Sequence, residues 1–278
     1  MGPSLLLDTI IWPLGLGIVL ALVASVRGTK NYVQVFITSA LILAIYLLLE
    51  GVPSFPPLAA KQKVSFIIVG IAACLALTPK LQLKTWLVTI VVLGLGFTWL
   101  GFNKLHDFSA WPSALLVMAP IITAAFSSRS LETRADETFL WPSTLIAFAI
   151  GGSLISLFGV FVGFAQAMGA MAAWIGGYMM FQFFLLALGG RANALSSMAM
   201  QVVLLSFVVM SFMVALFAPD VSLLAYAVLS LTLLVPQFAP ELRGLSPLTK
   251  PFVFGFLAAV PAVAAILIAF VQRGLSIG

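Results

Sequence analysis

Long, continuously apolar runs separated by short polar breaks set the pattern of this chain. "SALILAIYLLL" and "AMQVVLLSFVVMSFMVALF" are typical of the runs. A membrane β-strand would alternate apolar and polar residues around a polar lumen, so the pattern predicts helices. One crossing of a hydrocarbon core takes about 20 apolar residues, within roughly 17 to 25. Ten candidate spans result, at 4–26, 31–50, 64–78, 84–103, 111–126, 139–164, 167–188, 194–218, 221–236 and 250–272. The third, fifth and ninth are short for a full crossing. "VRGTKN", "TPKLQLK", "GGRAN" and "APELRGLSPLTKP" supply the Gly, Pro and cations that end helices. In "EGVPSFPPLAAKQK" (50–63), Pro53, Pro56 and Pro57 favour an extended path.

Composition turns that pattern into a fold class. Hydrophobic residues make up 63% of the chain, and only 21 of its 278 residues are Asp, Glu, Lys or Arg. Too few charges exist to cover the surface of a water-soluble protein of this size. The expected fold is therefore all-α and integral to the membrane: a polytopic bundle of about ten transmembrane helices, one transmembrane domain over 1–278, with the lipid bilayer as its first partner. The N-terminus "MGPSLLLDTIIWPLG" has no basic segment before its apolar stretch and reads as a first membrane helix rather than a cleaved signal. Cys74 is the lone cysteine, so no internal disulfide is expected.

The net charge of +5 is not a nucleic-acid signal, because the cations sit singly or in pairs between apolar runs. There they orient helices. With the N-terminus outside, Arg27, Lys30, Lys80, Lys84, Arg129, Arg134, Arg191, Arg243 and Lys250 fall inside. Lys61, Lys63, Lys104 and Arg273 fall outside, a ratio of nine to four. Both termini are expected outside a bacterial inner (plasma) membrane, with 127–138 cytoplasmic. That segment, "SSRSLETRADET", holds Arg129, Glu132, Arg134, Asp136 and Glu137. It reads as a solvated, topology-setting loop in which Arg129 and Arg134 pair with Glu132. Trp111-Pro112 and Trp141-Pro142 open spans and read as headgroup anchors, and Trp12-Pro13 reads as a kink.

A shift of 116 lays Pro120 on Pro236, each late in a short span, and raises a four-helix internal repeat of 64–164 and 167–272. Short or proline-interrupted spans in corresponding positions point to transporter binding sites. The plainer reading is that both prolines shorten a last turn near the interface.

Candidate chemistry is sparse. One histidine (His106) and one cysteine cannot assemble a His/Cys metal site, so no metal and no cofactor are expected. No phosphate loop and no nucleophile motif stands out, and no catalytic residue is expected. Membrane enzymes of phospholipid chemistry need clustered carboxylates or cations, which are missing. Eight of the ten methionines lie between Met168 and Met213 and read as packing residues rather than a Cu(I) path. The remaining candidates are the neutral polar side chains Tyr178, Gln182 and Gln201, read as interhelical hydrogen bonds or as a polar site on a central cavity. Together with Pro120 and Pro236 they form the expected pathway for a small neutral solute. Gly159 and Gly163 read as a GxxxG in span six. Gly169, Ala173 and Gly177 form a small-residue stripe in span seven, for packing within the chain or in a homo- or hetero-oligomer.

Ten helices in 278 residues resembles the drug/metabolite transporter superfamily, and "APIITAAFSSRSLETR" is similar to its proline-bearing fourth helix and following link. The resemblance implies two inverted five-helix halves with cytoplasmic termini. The charges here place the termini outside, and the repeat joins four helices in parallel, so membership is not inferred. A carrier or channel for a neutral or weakly polar small solute is the leading expectation. A non-catalytic subunit or assembly factor of a larger membrane complex comes second, and a lipid-handling enzyme last.

Overall fold

Ten helices and no strand make up the computed structural model, among the described residues 6–26, 31–104, 111–134, 137–218, 220–239, 242 and 245–277. The side chains of 80, 111–114 and 274–277 fall outside the description, as do Arg27, Lys30, His106, Asp136 and Arg243. The anchor reading of Trp111-Pro112 lies outside it too. The helices are α1 (Leu7–Ser25), α2 (Asn31–Glu50), α3 (Ala60–Leu81), α4 (Thr85–Gly101) and α5 (Trp111–Thr133). They continue with α6 (Leu140–Phe158), α7 (Val162–Ala187), α8 (Ser197–Phe217), α9 (Leu223–Phe238) and α10 (Lys250–Ile277). Each matches one predicted span. Among the described residues, nine are long and apolar enough to cross a bilayer, so the chain is an integral membrane protein.

Two of the three short spans grow to full length. In α3, the Gln62 side-chain oxygen accepts the N–H groups of Leu58 (3.1 Å) and Ala59 (3.3 Å), which starts the helix before residue 64. Helix α5 runs two turns past 126, so 127–133 is helix and not loop. Its serines 127, 128 and 130 are buried, and each hydroxyl donates to a carbonyl, Ser128 and Ser130 within α5 and Ser127 to Leu233 of α9. Pro120 consequently sits mid-helix in α5 rather than late in a short span.

Helix α9 stays short, at 16 residues, and is broken. An α segment (Leu223–Ser230) passes into a 3-10 turn (Leu231–Leu234) and back to α at Val235–Phe238. Pro236 explains the break: it has no N–H to give the Thr232 carbonyl, which takes the Val235 N–H instead, one residue nearer.

The span six to seven boundary moves. Helix α6 ends at Phe158, and α7 begins at Val162 after a tight turn in which Val160 holds φ 58°. Gly159 therefore caps α6 and Gly163 opens α7, so they are not a GxxxG on one helix. The stripe on α7 is also divided. Gly169 faces Ser153 of α6, Ala173 is half-buried, and Gly177 packs on the backbone of α1. A Cβ at Gly177 would overlap the Leu14 carbonyl, and one at Gly17 would overlap the Trp174 carbonyl. The two helices thus cross backbone to backbone. Trp141 is buried in the core, not an interfacial anchor, because α6 lies inside the bundle. The irregularity near Trp12-Pro13 is a π turn, Leu7–Ile11, ahead of the proline.

Helices α2, α3, α4, α5, α9, α6 and α7 form a ring in that order around α8. Helix α1 packs outside on α7, and α10 outside on α6 and α9. In α8, 94% of the most apolar stretch is buried, against 22% in α1 and 28% in α10. Links alternate between two faces. Glu50–Lys61 (3.3 Å) and Lys63 Nζ to the Trp99 carbonyl (3.0 Å) tie ends on one face. Arg134 to Ala239 and Asn193 to Ser25 tie ends on the other.

Candidate functional site

Polar side chains on α8 have nowhere to go but into protein. Gln201, one turn into the helix, meets Thr89 of α4 and Ser128 of α5. Its Nε2 donates to Thr89 Oγ1 at 2.6 Å and to Ser128 Oγ at 2.7 Å, and the two hydroxyls are 2.9 Å apart. Each hydroxyl proton goes back to its own helix, Thr89 to the Thr85 carbonyl and Ser128 to the Ala124 carbonyl. With both protons on those carbonyls the amide nitrogen is the donor, and Gln201 Oε1 has no protein partner among the described residues. All three residues are at most 1% exposed. A buried carbonyl oxygen without a donor costs roughly 1–3 kcal/mol.

The neighbouring hydroxyl reaches the other way. Ser127 Oγ donates to the Leu233 carbonyl at 2.5 Å, in the 3-10 segment of α9. Consecutive serines on α5 therefore join the amide on α8 to the break in α9. Thr232, in the same segment, is fully buried, and its Oγ1 is also unpartnered.

Arg134 completes the arrangement from the face below. Its Nη1 donates to the carbonyls of Pro236 (2.6 Å) and Ala239 (2.9 Å), capping the end of α9. Nε and Nη2 bind Glu137 Oε1 at 3.0 and 2.7 Å. The pair formed is thus Arg134–Glu137, not the expected pairs through Glu132, because Arg134 turns toward the carbonyls of α9. Arg129 lies over the Trp86 and Phe126 rings at 5.2 and 5.9 Å. Of the described charges in 127–138, Arg134 fastens the broken helix, with Glu137 paired to it.

Tyr178 and Gln182 belong to a different network. Tyr178 Oη donates to the Asn193 carbonyl (2.8 Å), and Gln182 Oε1 accepts the Asn193 N–H (2.8 Å) while its Nε2 reaches the Ala21 carbonyl (3.4 Å). Gln34 Oε1 accepts from Ser196 N at 2.9 Å. These bonds pin the 188–196 link onto α1, α2 and α7, and they leave both Tyr178 and Gln182 occupied. Clefts of about 270 to 450 Å³ open between helices at the bundle surface, and none of these is lined by Tyr178, Gln182 or Gln201.

Of the expected residues, the structure brings Gln201 and Pro236 to one site, linked through Ser127 and Ser128. Pro120 stands two turns before those serines on α5. Thr89, Ser127, Ser128 and Arg134 were not read as site residues. Their signal was weak: isolated hydroxyls in apolar helices, and one cation in a charged stretch. Among the described residues, no three His, Cys, Asp or Glu side chains gather as a metal site would require. Comparison with protein-family models, curated proteins and solved structures finds no match to this chain.

Proposed function

We propose that this membrane protein is a carrier for a small neutral solute that donates hydrogen bonds, with the Gln201 carbonyl oxygen as its anchor. One observation carries the reading: an amide with committed donors and a free acceptor, buried against α5, whose next serine bonds the helix broken at Pro236. A purely structural amide would have both ends satisfied, as Gln182 has. Irregular backbone at membrane depth is tolerated where protein or a water-filled path surrounds it, and transporters place binding there. The described arrangement is then the closed form, and movement of α9 against α5 opens it. Neutral lining residues suit an uncharged solute. Both termini lie outside and Arg134 faces the cytoplasm of a bacterial inner membrane in this reading, on the nine-to-four balance of cations.

The test is flux into sealed vesicles carrying the purified protein, with a panel of small amides, polyols and sugars. At least one solute should cross faster than in empty vesicles, and Gln201→Leu should remove the excess while the protein stays folded. Equal flux through wild type, Gln201→Leu and empty vesicles for the whole panel would reject the carrier. The alternative of a subunit in a larger complex draws on Gly70 and Gly94, where an added Cβ would meet nothing within 4 Å. Co-purification of a fixed partner in mild detergent would favour it.

A further inference from the structure

We infer that the cytoplasmic ends of α6, α7 and α10 form a binding site for an anionic phospholipid, separate from the solute site. A cleft of about 450 Å³ opens beside Gly190–Ala192 of the 188–196 link and Pro247, just before α10. Arg191, Lys250 and Thr138 supply polar lining, and Phe139, Leu186 and Phe254 supply apolar lining. Glu137 also borders the cleft, but Arg134 holds its carboxylate at 2.7 Å and neutralises it. Among the described residues, neither Arg191 nor Lys250 is in an ion pair. The described lining is therefore net cationic, at helix ends, where headgroups would lie.

An apolar groove of about 270 Å³ lies between the same three helices, with no lining residue in common with the cleft. Ser143 and Ile150 of α6, Met179 of α7, and Gly255, Ala259 and Ile266 of α10 line it. Phe139 and Ser143 are one turn apart on α6, and Leu186 and Met179 two turns apart on α7, so cleft and groove share the same helix faces. Gly255 and Ala259 hollow the wall, because they carry no bulk toward the neighbour. From Pro251 to Ile266 the groove spans about 22 Å of helix. That exceeds the roughly 15 Å occupied by one leaflet's acyl chains. Two cations that pair with no described carboxylate, near a chain-length apolar groove, fit one ligand chemistry: a phosphodiester with net negative charge, attached to a fatty acyl chain. Phosphate alone would leave the groove unused, and a zwitterionic lipid would bring a second cation to Arg191 and Lys250. Anionic lipids are also the ones enriched on a cytoplasmic leaflet.

The test titrates delipidated protein in detergent with phosphatidylglycerol, phosphatidylcholine or inorganic phosphate and counts bound molecules by native mass spectrometry. Phosphatidylglycerol should bind in preference to phosphatidylcholine. R191Q/K250Q should weaken it about thirtyfold, from about fivefold per cation. A259F should weaken it with both cations kept, and millimolar inorganic phosphate should not displace it. Equal phosphatidylglycerol binding by wild type and R191Q/K250Q would overturn the site, as would no preference over phosphatidylcholine. Displacement by phosphate, with A259F unaffected, would make it a free-phosphate site and overturn the lipid assignment. If R191Q/K250Q does not fold, R191Q alone decides, with fivefold weakening expected and unchanged affinity overturning the site.

Discussion

Substituting alanine for Gly177, or for Gly17, tests the packing of the bundle at one seam. At each position the new methyl would fall on a backbone carbonyl of the facing helix, Leu14 or Trp174, with further backbone atoms at 2.9 Å. Backbone cannot rotate aside as a side chain can, so α1 and α7 must part. A gap of about 1 Å forfeits a quarter to a half of the dispersion energy of each contact along the seam. Overpacking of this kind costs roughly 1–3 kcal/mol. The two sites are coupled, since helices already parted for one methyl have room for the other. The double variant should therefore cost about 1 kcal/mol less than the sum of the singles. Gly176 and Gly15 serve as controls, with nothing within 4 Å of an added Cβ. Alanine there should be neutral or stabilising by up to about 1 kcal/mol through helix propensity. Unfolding of the purified protein in micelles, followed by circular dichroism, gives all five values. Equal destabilisation by Gly176→Ala and Gly177→Ala would refute the backbone crossing.

Gln182 and Gln201 should separate by assay: Gln182→Leu strands the Asn193 N–H, while the Ala21 carbonyl keeps the Ser25 hydroxyl, and should cost about 1–3 kcal/mol. Gln201→Leu removes two bonds and one unpaired oxygen together and should stay within about 1 kcal/mol of wild type, yet lose flux. Removing Arg134 uncaps Pro236 and Ala239, so Arg134→Gln should speed hydrogen exchange over 231–239 while leaving α2 and α3 unchanged. Arg134→Lys should recover less than half the protection, because an ammonium cannot fork between α9 and Glu137. Val160 is β-branched at φ 58°, a conformation costing about 1–3 kcal/mol. Val160→Gly should raise the unfolding midpoint, for a net gain of about 1 kcal/mol after glycine's entropy.

Helix number and order were legible because lipid allows little else: each apolar run had to satisfy its own backbone. What lipid cannot signal is which helix avoids it. Helices α8 and α10 have nearly equal hydropathy, 2.4 and 2.6, yet one is the hub and the other lies on the rim. Hydrocarbon and protein interior are equally apolar, so composition does not distinguish them. The 159–161 turn was missed for the same reason, since "LFGVFVGF" breaks a helix without any polar residue. The charged stretch misled in the opposite sense. Its ions suggested water, whereas Ser127 and Ser128 turn inward and Arg134 reaches across to carbonyls more than 100 residues away in sequence. Gln201 could be singled out as an amide in an apolar run. Its partners Thr89 and Ser128 could not, being ordinary hydroxyls on helices distant in sequence.

Water reaching residue 128 is the direct consequence of an opening seam between α5 and α9. In a Cys74→Ala background, Ser128→Cys can be exposed to a membrane-impermeant thiol reagent in sealed vesicles, with Leu188→Cys, 87% exposed, as the surface standard. A working carrier labels position 128 from one side, more slowly than position 188 and at a rate that a transported solute alters. Prompt labelling at 188 with none at 128, in folded protein with solute present or absent, would contradict the account.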